Sequence, residues 1–293
     1  MDLIINLNKP SGITSQQAVA RVKRMLRVKK AGHTGTLDPL ATGVLLICLN
    51  EATKVSRFFL DMDKKYRARM KLGERTDTYD AEGRITATSD ASALREGEIL
   101  EAVLSFRGAI DQTPPMYSAV KMNGKVLYEL ARKGIEVERQ SRSVTIYDIA
   151  VADIHIPYVD LIVACSKGTY IRSLCDDIGQ KLGVGAHLTA LERVAVGSIS
   201  VRDSLRFEDL GERELVPDGG SILSIDGALG HMPELCLDGR ESLKVRYGQR
   251  IPMREQGHYA EGDAMKLKGP GGELIGIGSI CSGMIIVERN LNL

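Results

Sequence analysis

One carboxylate is set apart by its surroundings. From Ala31 to Leu45 the chain reads Ala-Gly-His-Thr-Gly-Thr-Leu-Asp-Pro-Leu-Ala-Thr-Gly-Val-Leu, with Asp38 among three glycines and three threonines. An Asp before Pro ordinarily starts a turn and caps nearby amides. Here small residues on both sides, Gly35-Thr36 and Ala41-Thr42-Gly43, let a bulky planar ligand approach the backbone. The region is also cationic: residues 1–75 carry 15 Lys or Arg against 6 Asp or Glu, although the whole chain stands at only +1. A lone carboxylate in such a groove is expected to stay ionised, its pKa lowered by neighbouring positive charge. That describes a nucleophile or base facing an anionic polymer.

Competing chemistries lack their residues. A phosphate-binding Walker loop needs G-x-x-x-x-G-K-[ST], and Gly32 to Leu37 offers no lysine at the required place. The glycines from Gly269 to Gly278 do not form G-x-G-x-x-G between a strand and a helix, so no nucleotide cofactor is expected. The five cysteines (Cys48, Cys165, Cys175, Cys236, Cys281) contain no C-x-x-C pair, and the five histidines no H-x-x-x-H spacing. Reduced core thiols and no metal are the expectation. The longest apolar run of the N-terminal half, Val44 to Leu49, is far short of the ~20 residues that span a bilayer. With no secretory leader at Met1-Asp2-Leu3, a cytoplasmic protein without a membrane partner is expected.

The elements that must carry these residues follow from periodicity. Leu3 to Leu7 reads as a buried strand ending in the Lys9-Pro10-Ser11-Gly12 turn, and Thr14 with Gln17 forms a capping-box pattern. Val19, Val22, Met25 and Leu26 then predict a helix to about Val28, stopped by Gly32, with Arg21, Lys23, Arg24 and Arg27 outward. A strand at Val44–Leu49 and a short helix over 52–59 come next. Residues 66–72 alternate strictly, which places Tyr66, Ala68, Met70 and Leu72 on one face and three cations on the other. An acidic loop at 76–83 precedes a helix over 98–106 with Ile99, Leu100, Val103 and Leu104 inward. Thr113 to Tyr117 is a stiff extended lead into a strand, and 131–142 reads as a charged mobile loop or hairpin. Asp160 to Ser166 is a buried strand, followed by an amphipathic helix from Thr169. Beyond about residue 232 helical periodicity disappears into short apolar runs and turns. The fold class is α+β: a mixed, largely antiparallel sheet flanked by helices over 1–232, then a small all-β module over 233–293.

The motifs from Gly32 to Gly43 resemble, nearly residue for residue, the signature of the TruB family of tRNA pseudouridine synthases. Asn8-Lys9-Pro10-Ser11-Gly12, Lys64-Lys65-Tyr66, Gly73 to Thr78, Gln112 to Lys121 and Lys167 to Arg172 are similar to the family's other blocks, in its order. The terminal segment is similar to an RNA-binding PUA domain. One departure stands out: where the family usually reads Leu-Arg-Arg, this chain has Leu191-Glu192-Arg193. The pattern Thr36-Leu37-Asp38 with Ala41-Thr42-Gly43 fits the branch acting on tRNA rather than ribosomal RNA.

The resemblance implies a pseudouridine-synthase-like fold and isomerisation of uridine at position 55, in the T loop of tRNA. Asp38 is then the nucleophile; whether it attacks C1′, attacks the base, or assists elimination stays open. Arg172 pairs with Asp38, and Tyr66 stacks on the uracil and accepts the C5 proton. His33 fills the space the extruded base leaves, and Tyr170 and Leu191 wall the uracil pocket. Lys9, Lys54, Lys64, Lys65 and the basic helix track phosphates. The T-arm stem-loop is the expected partner of a monomer that needs neither guide RNA nor cofactor. A tRNA-folding chaperone with secondary or no catalysis is the alternative.

Overall fold

The computed structural model describes residues 1–118, 121–122, 124–132, 134–135, 137–211, 215–253 and 259–293. Strand β1 (Leu3–Lys9) leads to helix α1 (Ser15–Met25) through the predicted capping box. There the Gln17 amide donates to Thr14 Oγ1 at 3.1 Å, and the Thr14 amide to Gln17 Oε1 at 2.8 Å. The helix buries Ala18, Val19 and Val22 and ends earlier than its pattern predicts, at a C-cap on Leu26. Arg27 makes the reversal with φ +50°. Gly32 is no stop signal: it lies in strand β2 (Ala31–His33), which pairs with β3 (Thr42–Leu49). That pairing demands extended chain from Ala31 onward.

Every residue of β3 after Thr42 is buried because both its faces are covered. Leu45, Ile47 and Leu49 enter the main core, whereas Val44, Leu46 and Cys48 enter a second one. The helix predicted over 52–59 is a 3₁₀ segment, Asn50–Val55, running into α2 (Ser56–Leu60). Strand β4 (Lys64–Leu72) keeps the predicted alternation, with Tyr66, Ala68, Met70 and Leu72 buried. A hairpin of β5 (Glu74–Thr76) and β6 (Ile85–Thr88) precedes α3 (Glu96–Leu104). That helix buries Ile99 and Val103 but exposes Leu100 and Leu104, since one narrow stripe of its surface meets the sheet.

Strand β7 (Gly108–Gln112) is followed by the short β8 (Lys121–Met122) and β9 (Lys125–Val126) and by α4 (Leu127–Arg132). Of the segment expected as a mobile loop or hairpin, positions 133 and 136 lie outside the described residues; its first residues close α4 and its last opens β10 (Arg142–His155). Then come β11 (Tyr158–Cys165), α5 (Ile171–Lys181) and β12 (Ala186–Val196). With β13 (Ile199–Ser200) and β14 (Ile222–Ser224) they complete a ten-stranded sheet of order β14-β1-β3-β12-β4-β11-β10-β7, with β13 on β12 and β2 on β3. Its pairings are antiparallel except β3 with β12, where only Thr42↔Glu192 and Gly43↔Arg193 are in register. The sheet therefore parts beside the Asp38 loop.

After α6 (Ile225–Ala228) a second sheet forms from β15 (Glu234–Cys236), β16 (Ile251–Pro252), β17 (Ala264–Lys268), β18 (Leu274–Cys281) and β19 (Met284–Asn290). It is not all-β, as its sequence predicts: α7 (Gly239–Arg246) sits within it, capped by Asp238 and Glu241. Ile277 and Leu291 of this part pack with Ile4, Val44 and Leu46 of the first sheet and with Phe59 of α2. The thiols divide as well. Cys48, Cys165 and Cys175 are buried, but Cys236 and Cys281 are exposed rather than core residues. Among the described residues no helix is long and apolar enough to cross a membrane.

Candidate active site

The Asp38 loop is held from below by the segment just after β1. Ser15 Oγ, in the first turn of α1, accepts from the Leu37 amide at 2.8 Å and donates to the Leu37 carbonyl at 3.0 Å. The Gly12 amide donates to the Pro39 carbonyl at 2.9 Å, and Ser11 Oγ to that of Leu40 at 3.1 Å. Lys9, expected to track phosphates, points inward instead. Its buried Nζ donates to the carbonyls of Ile13, Pro10 and Pro39 at 2.7, 2.8 and 3.2 Å. Burial lowers its pKa to about 8. An ammonium with three carbonyl partners is a brace for the loop.

Two other cations assigned to phosphate also turn inward. Lys64 Nζ donates to the carbonyls of Leu60 and Met62, and burial lowers its pKa to about 8. Lys54 bridges Glu51 at 2.7 Å and the Asn290 carbonyl at 2.8 Å, tying the first sheet to β19. The cationic surface that remains is α1 with its C-terminal extension, where Lys23, Arg24, Arg27, Lys29 and Lys30 are exposed, together with Lys65.

Asp38 and Arg172 meet, as the family resemblance implies. Arg172, near the start of α5, donates from Nη2 to Asp38 Oδ1 at 3.1 Å, and its Nε lies 2.9 Å from Oδ2. The guanidinium is itself 4% exposed and fixed from behind. Its Nη1 meets Asp80 Oδ2 at 3.2 Å and the Thr78 carbonyl at 3.1 Å, and its Nη2 the Tyr117 carbonyl at 2.8 Å. Asp80 is held in turn by Thr78 Oγ1 at 2.6 Å and the Glu82 amide at 3.0 Å. One cation thus serves two carboxylates, of which Asp80 is buried and Asp38 keeps 29% of its side chain exposed.

This corrects the electrostatic expectation for Asp38. Burial raises its pKa above the ordinary aspartate value, Arg172 pulls it down, and Asp80 pushes it up again, so the net shift is upward. The acidic loop after β5, which the sequence shows as an excess of charge, supplies that opposing carboxylate.

Tyr66 is buried on β4, directly across from Val163 on β11 and Arg193 on β12. Burial raises its pKa, the Arg193 charge opposes the shift, and the Asp38 charge adds to it. Tyr170 caps the N-terminus of α5 and is gripped through its backbone: its amide donates to Gln112 Oε1 at 2.7 Å, and Gln112 Nε2 donates to its carbonyl at 2.9 Å. The Arg142 guanidinium lies 4.8 Å from the Tyr170 ring centre. His33 ends β2, and its Nδ1 accepts from the Gly35 amide at 3.3 Å. Burial, then the Arg193 charge, lowers its pKa, which leaves a neutral ring with a flat face.

Leu191 lies on β12, and its carbonyl accepts from Thr42 at 3.4 Å. It contributes, with Leu40, Thr42, Ala68 and Ala190, to a cleft of about 470 Å³ where β3 and β12 part. Glu192, the residue that departs from the resemblance, pairs with Arg67 at 3.1 Å on the wall of this cleft. Sequence reasoning gave no role to Asp80, Gln112 or the buried Arg193. Gln112 and Arg193 stand inside motifs that carry the resemblance, which was the only signal for them.

The profile of the TruB family pseudouridylate synthase N-terminal domain matches residues 23–171, and that of the tRNA pseudouridylate synthase B C-terminal domain matches residues 172–219. A Clostridium tetani protein called tRNA pseudouridine synthase B is 53% identical over 251 residues, covering 86% of each chain. A Haemophilus influenzae protein of that name is 46% identical over 258 residues, 86% of this chain and 81% of its own. Among solved structures, an H/ACA RNP bound to a substrate RNA containing 2′-deoxyuridine aligns with TM-score 0.76 at 26% identity, over 99% of this chain and 85% of that one. The archaeal Nop10–Cbf5 complex of the box H/ACA sRNP aligns at 0.74 and 26%, over 98% and 85%. The chain belongs to the TruB family of pseudouridylate synthases.

Proposed function

We propose that this enzyme isomerises uridine to pseudouridine at position 55, in the T loop of tRNA, acting as a monomer without a guide RNA. The reading is carried by the Asp38 carboxylate, which is bound by a buried guanidinium yet keeps one flank open. The reaction breaks the N1–C1′ bond, turns the base, joins C5 to C1′, releases the C5 proton and leaves N1 protonated from solvent; no group is donated or oxidised. A carboxylate suits a sugar carbon where cationic character develops.

Arg172 orients Asp38 and, through its pull on the charge, offsets part of the desolvation that raises the carboxyl. Tyr66 lies under the uracil and accepts the C5 proton, directly or through water. The target base must leave its stack at a cost of a few kcal/mol. His33, neutral and flat, takes its place, while Tyr170 and Leu191 close around the extruded ring. The exposed cations of α1 hold the phosphates, so affinity falls as salt rises. The second sheet is read as a PUA-like RNA-binding module spanning 233–293.

The test is release of tritium from 5-³H-uridine in a tRNA transcript, since that hydrogen reaches water only on completed isomerisation. Wild-type protein alone releases one equivalent per tRNA, and Asp38→Asn releases none while binding the RNA. Equal loss of binding and release in Asp38→Asn sinks the catalytic assignment. If growth depends on the protein but tolerates Asp38→Asn, the chaperone alternative takes over.

A further inference from the structure

We propose that Arg193 is the positioning residue that locks the Tyr66 phenol to the loop carrying Asp38, so that proton acceptor and carboxylate are held by one cation. The inference rests on the reading of Tyr66 as acceptor of the C5 proton. Arg193 and Tyr66 are direct cross-strand partners on β12 and β4, and both are buried. Opposed residues project to the same face with Cβ atoms about 5 Å apart. Across that gap the guanidinium charge faces the phenol and opposes the rise in its pKa that burial causes.

The rest of the Arg193 fork is committed to the Asp38 loop. Its Nε donates to the Val44 carbonyl at 2.7 Å, its Nη2 to Gly35 at 3.1 Å and its Nη1 to Thr36 at 3.5 Å. Those carbonyls lie on both sides of Asp38 in the chain. The close approach is built into the backbone: Gly43 pairs with Arg193, and a Cβ there would come 2.3 Å from the Arg193 carbonyl oxygen. Gly43 also has φ +97°, which favours glycine. A planar fork holds several carbonyls at once and keeps its charge on the face it shares with Tyr66, which a lysine cannot do.

In the last step the phenol gives its own proton to solvent, and the C5–H bond then breaks with its proton passing to the Tyr66 oxygen. The bonding pair forms the C5–C6 double bond, the C6–N1 π pair moves onto N1, and N1 takes up a proton from solvent, so the product is an isomer of the substrate. Negative charge on the phenol oxygen is opposed by burial and favoured by the adjacent guanidinium. Removing Arg193 should therefore slow proton transfer selectively, beyond any loosening of the loop.

The experiment compares single-turnover rates on tRNA transcripts carrying uridine or 5-deuterio-uridine, for wild type, Arg193→Lys, Arg193→Gln and Tyr66→Phe. RNA affinity and thermal unfolding are measured for each. Arg193→Gln should lose roughly 10²-fold in rate, with RNA affinity within about threefold of wild type. The deuterium effect should grow, and the pH at which proton release becomes fast should move upward. Arg193→Lys should fall between, and it carries the test if the glutamine variant does not fold. A slower variant whose isotope effect and pH profile match wild type would show a packing role only and overturns the inference, as does a wild-type rate. If Tyr66→Phe keeps the wild-type rate, the reading of Tyr66 fails first. If Tyr66→Phe is slow while the Arg193 variants are normal, this inference alone fails.

Discussion

Among the described residues, two clusters set buried lysine or arginine beside carboxylates, and they are built to opposite ends. Between the sheets, Lys266 and Lys268 of β17 are almost fully buried against Asp226, and Lys266 also meets Glu234 at 2.5 Å. Two cations face two carboxylates. Burial would raise Asp226, but hydrogen bonds and charge from Lys268 and Lys266 outweigh it and leave its pKa low. At the Asp38 centre a single Arg172 faces Asp38 and Asp80, and Asp38 ends with its pKa raised. A saturated cluster holds elements together. An undersupplied one leaves a carboxylate whose remaining demand for positive charge a substrate can meet.

The sharpest way to break this contrast is to neutralise one acid in each cluster. Asp38→Asn should lower the single-turnover isomerisation rate by about 10³-fold or more, ~4 kcal/mol of barrier, with little change in unfolding temperature. Asp226→Asn should do the reverse, leaving two buried ammoniums short of a partner. It should cost about 3 kcal/mol of stability, read as a fall in Tm on the order of 6–12 °C, with isomerisation of the folded fraction intact. A stable Asp226→Asn with a damaged rate would erase the distinction.

A smaller effect sharpens the comparison through pH. On the proposed function Asp38 acts as the ionised carboxylate, so the rate should fall as pH drops through its pKa. Because that pKa is raised, the acid limb of the pH–rate profile should lie above the ordinary aspartate value of about 4. Asp80→Asn removes a negative neighbour and should move the limb to lower pH, even as the looser Arg172 lowers the plateau. A limb that stays in place would mean Asp80 does not bear on Asp38. The smallest expected effect is at Glu192. Glu192→Gln frees Arg67 on the cleft wall, and should tighten RNA binding by up to about fivefold at low salt while steepening the salt dependence by roughly one phosphate contact. Unchanged affinity and slope would show that RNA does not reach Arg67.

Much of this was legible before any coordinates. The capping box at Thr14, the alternation through Tyr66 and the apolar run of β3 each depend on neighbours in sequence, and each appears where its pattern places it. Strands β10 and β12 escaped. The register of β12 slips between Leu188 and Ala190 and again between Arg193 and Ala195, and it buries His187 and Arg193, so no clean period survives. The inward turn of Lys9 and Lys64 was equally hidden, because a lysine's type does not tell whether carbonyls or solvent will receive its ammonium. At the site, the pairing of Asp38 with Arg172 across 134 positions follows from the resemblance and from no local pattern. The upward shift of the Asp38 pKa is not visible in the sequence, because it depends first on how far the fold buries the carboxyl and then on Asp80 arriving from a different loop.

The twofold bond between Ser15 and Leu37 has a mechanical consequence. Ser15 begins the helix whose outer face is cationic, and Leu37 is the residue next to Asp38. On the proposed function, a polyanion that seizes that helix delivers its tug one peptide away from the Asp38 carboxylate. Grip and bite are geared to each other through a single hydroxyl.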